Sequence, residues 1–286
     1  MGKIRQTLIT LGIWIGIQLI VTVIFMIAGL AQGADMNTLI NSIMAPALLV
    51  SDALVVILLI AIRFCKFKEL FQKIPGDVFL VTMIFGLCTM FAVDMLAEPM
   101  NIPNVLEEQF SSMTKTLSGF LAICLIGPIM EEIMMRRIIL TEMSKLTDSM
   151  WGGILISALM FAVIHLNPAQ VVFALPAGIV LGWLYCKTRS LMVPICIHIL
   201  NNTISFLTIK LDSGVEDSFR ITITNTLGLV IFCVLVIISI GSLIWILKYY
   251  SDQAKAQEAA MTQETPAVQT GQTGAKGAFK GDSYEK

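Results

Sequence analysis

Three short stretches of this chain carry the side chains that could do chemistry. Glu131 and Glu132 open the run Glu-Glu-Ile-Met-Met-Arg-Arg, which ends with Arg136 and Arg137. His165 closes Phe-Ala-Val-Ile-His, with Phe161 one turn before it. His198 opens His-Ile-Leu-Asn-Asn, with Asn202 one turn after it and on the same helical face. The two histidines are the only ones present. A carboxylate with an imidazole activates water as a general base. A second imidazole and an amide N–H2 stabilise an oxyanion. The set suits amide hydrolysis without a Ser or Cys nucleophile. It also holds zinc-compatible ligands, and a zinc site would draw on Glu131, His165 and His198.

The elements that must position these groups are membrane helices. The chain has 286 residues, 56% of them hydrophobic and 14% charged, against about 25% charged in a soluble protein. The net charge of −1 gives no basic signal for nucleic acid. A transmembrane helix needs about 20 mostly apolar residues. Such runs fall at 8–30, 40–62, 78–97, 117–140, 150–166, 169–186, 190–208 and 224–247. The expected fold is an all-α polytopic bundle of about eight transmembrane helices. The first apolar run is too long for a signal-peptide core and lacks an Ala-x-Ala site, so it reads as a retained helix.

With the N-terminus in the cytoplasm, all of the 19 Lys and Arg except Lys115, Lys210 and Arg220 fall on the inner side. The expectation is therefore eight spans with both termini cytoplasmic, in a multi-pass plasma-membrane protein. Of the cysteines, Cys88, Cys124, Cys196 and Cys233 fall in helices, and Cys65 and Cys186 on the inner side. No disulfide framework is implied. Four regions follow: an N-terminal three-helix region with an outer loop, 1–116; a core, 117–208; an outer loop and last span, 209–250; and a tail, 251–286, whose Gln, Ala, Thr and Gly content reads as disordered. Residues 64–75 alternate bases with Phe and Leu and suit an amphipathic interfacial helix. A short helix is expected after Pro103 in the loop 98–116.

A charge at mid-bilayer costs about 2.5–3.5 kcal/mol, so the acids and bases of 131–137 need partners or a cavity. Glu132 and Arg136 are four apart with the acid first, the better orientation for a helical ion pair. Glu131 points about 100° away and is left for chemistry or for a partner on another helix. Arg137 is near enough to the helix end to snorkel to water. Asp52 and Asp94, in the second and third spans, read as interhelical polar contacts or as contributors to the field of a cavity. No His-Glu-x-x-His, Gly-x-Gly-Asp or Gly-x-Ser-x-Gly pattern occurs.

The ordered motifs Glu-Glu-x-x-x-Arg, Phe-x-x-x-His and His-x-x-x-Asn, over residues 117–208, resemble the CPBP family, also called Abi or type II CAAX-prenyl-endopeptidase-like proteins. The resemblance implies an intramembrane endopeptidase of glutamate type. Glu131 with His165 would activate water, and His198 with Asn202 would hold the oxyanion. Glu132, Arg136 and Phe161 would support them. It implies no required cofactor, with zinc as the alternative, and a membrane-anchored peptide or protein in the bilayer as substrate. Many members read Phe-Arg-Gly where this chain has Met135-Arg136-Arg137. Two other classes fit a bundle of this kind: a non-catalytic membrane partner or bacteriocin-immunity protein keeping the fold, and a transporter whose pathway the charged helix lines.

Overall fold

The computed structural model describes residues 2–62, 73–212 and 223–264. Helix α1 is Gly2–Ala31, α2 Met36–Ala61, α3 Gly76–Ala97 and α4 the short Glu107–Met113. Helix α5 runs Leu117–Thr147, α6 Met150–Val163, α7 Pro168–Thr188, α8 Met192–Asp212 and α9 Thr226–Glu264. Among the described residues there is no strand, and seven helices are long and apolar enough to cross a membrane; α6 is a shorter apolar one. The chain is a multi-pass membrane protein, and each of the eight expected apolar runs holds a helix, although the fifth, expected over 150–166, stops at Val163 and leaves His165 beyond its end. The short helix expected after Pro103 is α4.

Polar caps set several helix starts. Asp35 accepts from Thr38 N at 3.0 Å, Thr116 from Gly119 N at 3.0 Å and Ser149 from Gly152 N at 3.1 Å. Each satisfies a backbone donor left over in a first turn. Asp148, in the left-handed region, ends α5 and turns the chain into α6. One further difference from the sequence reading stands out. Helix α9 continues to Glu264, past Ser251 where a disordered tail was expected to begin. Ala, Gln, Lys and Glu favour helix, and the helix entering that stretch is already formed, so no new nucleus is required. The expected interfacial helix at 64–75 and the far tail lie almost wholly outside the described residues.

Residues 1–246 form one compact unit and residues from Leu247 a second. In the first, α1 packs on α2, α6 on both α5 and α7, and α3 on α7 and α8. Lipid is as apolar as Leu, so such packing depends on close van der Waals fit and small residues rather than on a hydrophobic driving force. Gly178 on α7 illustrates it: a Cβ there would lie 2.9 Å from Ala158 Cα and 3.3 Å from Phe161 Cδ1. The main core gathers Val55 and Leu59 of α2, Met130, Ile133, Met134 and Ile139 of α5, Phe161 of α6 and Ile195 of α8. Glu132 and Arg136 of α5 are therefore wrapped in protein, not lipid.

Candidate active site

Helix α5 is not a uniform α-helix. Ala122–Ile126 and Ile133–Leu140 are wound as π-helix on either side of the α-helical Gly127–Glu132. Pro128 gives the first widening a cause, since proline donates no backbone hydrogen bond to the turn before it. In the second, hydroxyls take two carbonyls: Ser157 Oγ donates to Met135 O at 2.7 Å and Thr141 Oγ1 to Arg136 O at 3.1 Å. π-Turns occur often at functional sites, and here they bracket the two glutamates.

A line of charge runs through that bracket. Arg136 Nε lies 2.9 Å from Glu132 Oε2, with both side chains fully buried. The contact is an ion pair rather than a well-aligned hydrogen bond, and among the described residues the guanidinium Nη atoms have no hydrogen-bond partner. The Phe161 ring faces the guanidinium, its centroid 4.8 Å from Arg136 Cζ, a cation–π contact that is strongest when desolvated. On the other side, His198 Nδ1 donates to Glu132 Oε1 at 2.8 Å. His198 Nε2 then lies 3.6 Å from Glu131 Oε2. Glu132 is thus gripped from two sides, whereas Glu131 is 21% exposed and can meet water.

Phe161 is the hub of the packing. Its ring lies edge-to-face with His165 at 5.1 Å and with His198 at 5.7 Å between centroids. His165 Nδ1 is 2.7 Å from Phe161 O. A carbonyl only accepts, so Nδ1 carries the proton, and neutral His165 has a lone pair at Nε2. Asn202 follows His198 by one turn of α8. Its Nδ2 donates to Ile123 O in the first π segment at 3.0 Å, which uses one of two amide hydrogens. Asp52 of α2 is also buried, beside Trp14 and Gln18. Its Oδ2 lies 3.8 Å from where a Cβ on Gly127 would stand, one turn from Glu131.

The structure therefore gathers Glu131, Glu132, Arg136, Phe161 and His198 directly, brings in His165 through Phe161, and brings Asn202 against α5. The expected Glu132–Arg136 pair is present. Sequence reasoning missed that Glu132 also holds His198, and that the second ring nitrogen of His198 stands beside Glu131. It also missed Ser157, although Ser157, Phe161 and His165 recur at intervals of four and share a face. Among the described residues, no group of three or more His, Cys, Asp or Glu is placed to hold a metal ion. As found, the zinc set Glu131, His165 and His198 does not converge.

Residues 113–204, which contain every one of these side chains except Asp52 and its neighbours, match the family described as Rce1-like, type II CAAX prenyl endopeptidase Rce1-like. The resemblance drawn from the three motifs is thereby borne out over that segment. The chain is also 33% identical over 79 residues to the Bacillus subtilis (strain 168) protein named "Putative membrane peptidase YdiL". That stretch is 28% of this chain and 32% of the relative, so the chain spans about a third of the protein it matches. No solved structure matches the chain.

Proposed function

We propose that this protein is an intramembrane endopeptidase that hydrolyses a peptide bond of a membrane-anchored peptide or protein, at the plasma membrane, with both its termini in the cytoplasm. One observation carries the reading. In a bundle of apolar helices, one glutamate is neutralised from two sides while its neighbour stays open to water 3.6 Å from an imidazole. The likeness of residues 113–204 to a CAAX prenyl endopeptidase family supports it, and so does the name of the Bacillus subtilis relative.

In this reading Glu131 and the Nε2 lone pair of His165 take a proton from water as its oxygen attacks the scissile carbonyl carbon. The carbonyl oxygen becomes the oxyanion. It is held by Nε2–H of His198 when that ring is doubly protonated, and by the second amide hydrogen of Asn202. Glu132 fixes the His198 ring by accepting from Nδ1, and Arg136 balances Glu132. The intermediate then collapses: the C–N bond breaks, and the proton first taken from water passes to the leaving amine. No step is assigned to a metal, because the residues present do not gather as a metal site.

The experiment is cleavage of a reporter peptide by purified protein in detergent. Glu131→Gln and His165→Ala should each abolish cleavage at unchanged membrane abundance. A cellular phenotype that survives Glu131→Ala would support the non-catalytic immunity reading instead. Substrate flux in proteoliposomes surviving both Glu131→Ala and His165→Ala would support a transporter. Activity that chelators remove and zinc restores would bring Glu131, His165 and His198 back as a ligand set.

A further inference from the structure

His165 does not sit on a helix. Helix α6 ends at Val163, and the chain then tightens: His165 N donates to Ala162 O at 3.3 Å and Leu166 N to Val163 O at 3.2 Å. Leu166 follows with φ of +51°, in the left-handed region that only Gly, Asn and Asp visit at low cost. Of the four non-glycine residues with positive φ among the described residues, Asp148 and Arg189 end helices and Asn101 ends the 3-10 turn Glu98–Met100. Leu166 alone lies between elements. Such a conformation persists where its surroundings over-determine it.

The surroundings are supplied by Asn167. It stands at the N-cap of α7, with Pro168 behind it, and asparagine is among the best capping residues. Yet its side chain makes no capping bond. It is fully buried and reaches instead to the loop between α3 and α4. Its Oδ1 accepts from Val105 N at 3.2 Å, and its Nδ2 donates to Asn104 Oδ1 at 2.8 Å and to Gln170 Oε1 at 3.2 Å. Asn104 Oδ1 also accepts from Leu106 N at 3.3 Å. Two bonds thus tie the residue two past His165 to a loop that lies outside the Rce1-like segment, and the bond to Gln170 anchors the same side chain on α7.

We propose that Asn167 is a positioning residue: clasped to Asn104 and Val105, it fixes the turn that aims the His165 imidazole. The inference rests on His165 having the role proposed above. One side of the ring is set by Phe161, through the Nδ1 bond and the edge-to-face contact. The other is set by where the chain goes next, and Asn167 decides that. The loop after α3 is thereby part of the active-site framework, although it carries no reacting group.

The test uses full-length protein in detergent and two readouts. The first is carbethoxylation by diethyl pyrocarbonate, resolved by mass spectrometry; the chain has only His165 and His198, so His198 is an internal control. Asn167→Ala should raise labelling of His165 at least threefold and leave His198 unchanged. Asn104→Ala should do the same more weakly. Asn104→Asp, which keeps the accepting oxygen on an exposed loop, should match the wild type. The second readout is peptide hydrolysis: Asn167→Ala should lower kcat at least tenfold with KM within twofold, and adding Asn104→Ala should make it little worse. Unchanged His165 labelling in Asn167→Ala overturns the proposal. So does an equal rise at both histidines, equal behaviour of the two Asn104 variants, or raised labelling with intact kcat. Labelling needs no peptidase activity, so a clasp that holds in a protein without hydrolysis would count against the function and not against the clasp.

Discussion

Helices α5 and α9 are both long enough and apolar enough to cross a bilayer, yet they do opposite things. Half of the apolar stretch of α5 is buried inside the protein, against 6% of that of α9. Helix α9 has no charged residue between Thr226 and Leu247, and Ile237, Ile240 and Ile244 are exposed. A helix apolar on every side can rest against lipid. Helix α5 carries three acids and three bases, four of them within residues 131–137, and is wrapped by α2, α6 and α8. The contrast shows what makes intramembrane charge tolerable: lipid never meets it. Arg136 faces both Glu132 and Phe161, and the carbonyls loosened by the π-turns are taken by Ser157 and Thr141. Of the paired glutamates, Glu131 is the one left open to water.

The largest effect that would sharpen this contrast is loss of that carboxylate. Glu131→Gln keeps the shape of the side chain, and kcat for peptide hydrolysis should fall about 10³-fold, within the span general base catalysis supplies. Protein abundance in the membrane should stay at the wild-type level. A retained rate would make α5 a structural helix like any other. Next in size is Arg136→Ala. Stripping one partner from a buried ion pair costs about 3–5 kcal/mol, and the loss should appear as a lower unfolding temperature in detergent. Glu132→Ala should then do less further harm in the Arg136→Ala background than alone, because the pair is already broken. Somewhat smaller is Asn202→Ala, for which removal of one oxyanion donor predicts about a 10²-fold fall in kcat. If KM rose instead, Asn202 would be holding substrate or helix α8 rather than charge.

Most of this architecture was legible in the sequence because a bilayer imposes a simple rule. A span must be about 20 apolar residues long, and hydropathy reads that directly. The Glu132–Arg136 pair was legible too, because i,i+4 geometry follows from residue number alone. What could not be read was tertiary. Nothing in the spacing says that His198 turns Nδ1 to Glu132 and Nε2 to Glu131, since His198 and Glu132 are 66 residues apart in the chain. Nor does it say that α5 widens into π-turns, which depends on Ser157 being placed to take a freed carbonyl. Asn167 is the sharpest case. Before Pro168 it reads as an ordinary helix cap, and only the fold reveals that its side chain is committed to a loop 62 residues earlier.

The smallest expected effect is also the one most able to break the comparison. Ile139 of α5 is fully buried and Ile237 of α9 is 67% exposed. The same deletion, isoleucine to alanine, should therefore have two outcomes. At Ile139 it removes packed neighbours and leaves a cavity, costing about 2–5 kcal/mol. At Ile237 it removes methyl groups from a largely exposed side chain. Helix α9 stays long and apolar enough to span, so stability should change by less than about 0.5 kcal/mol and kcat not at all. Thermal unfolding of both variants in one detergent, with hydrolysis measured alongside, makes the comparison. An equal loss at both positions would mean that α9 is a packed part of the bundle in the membrane. A loss of kcat at Ile237 with stability intact would mean that α9 bears on the site itself. In either case the boundary between a lipid-facing helix and a chemical one would have to be drawn beyond α9.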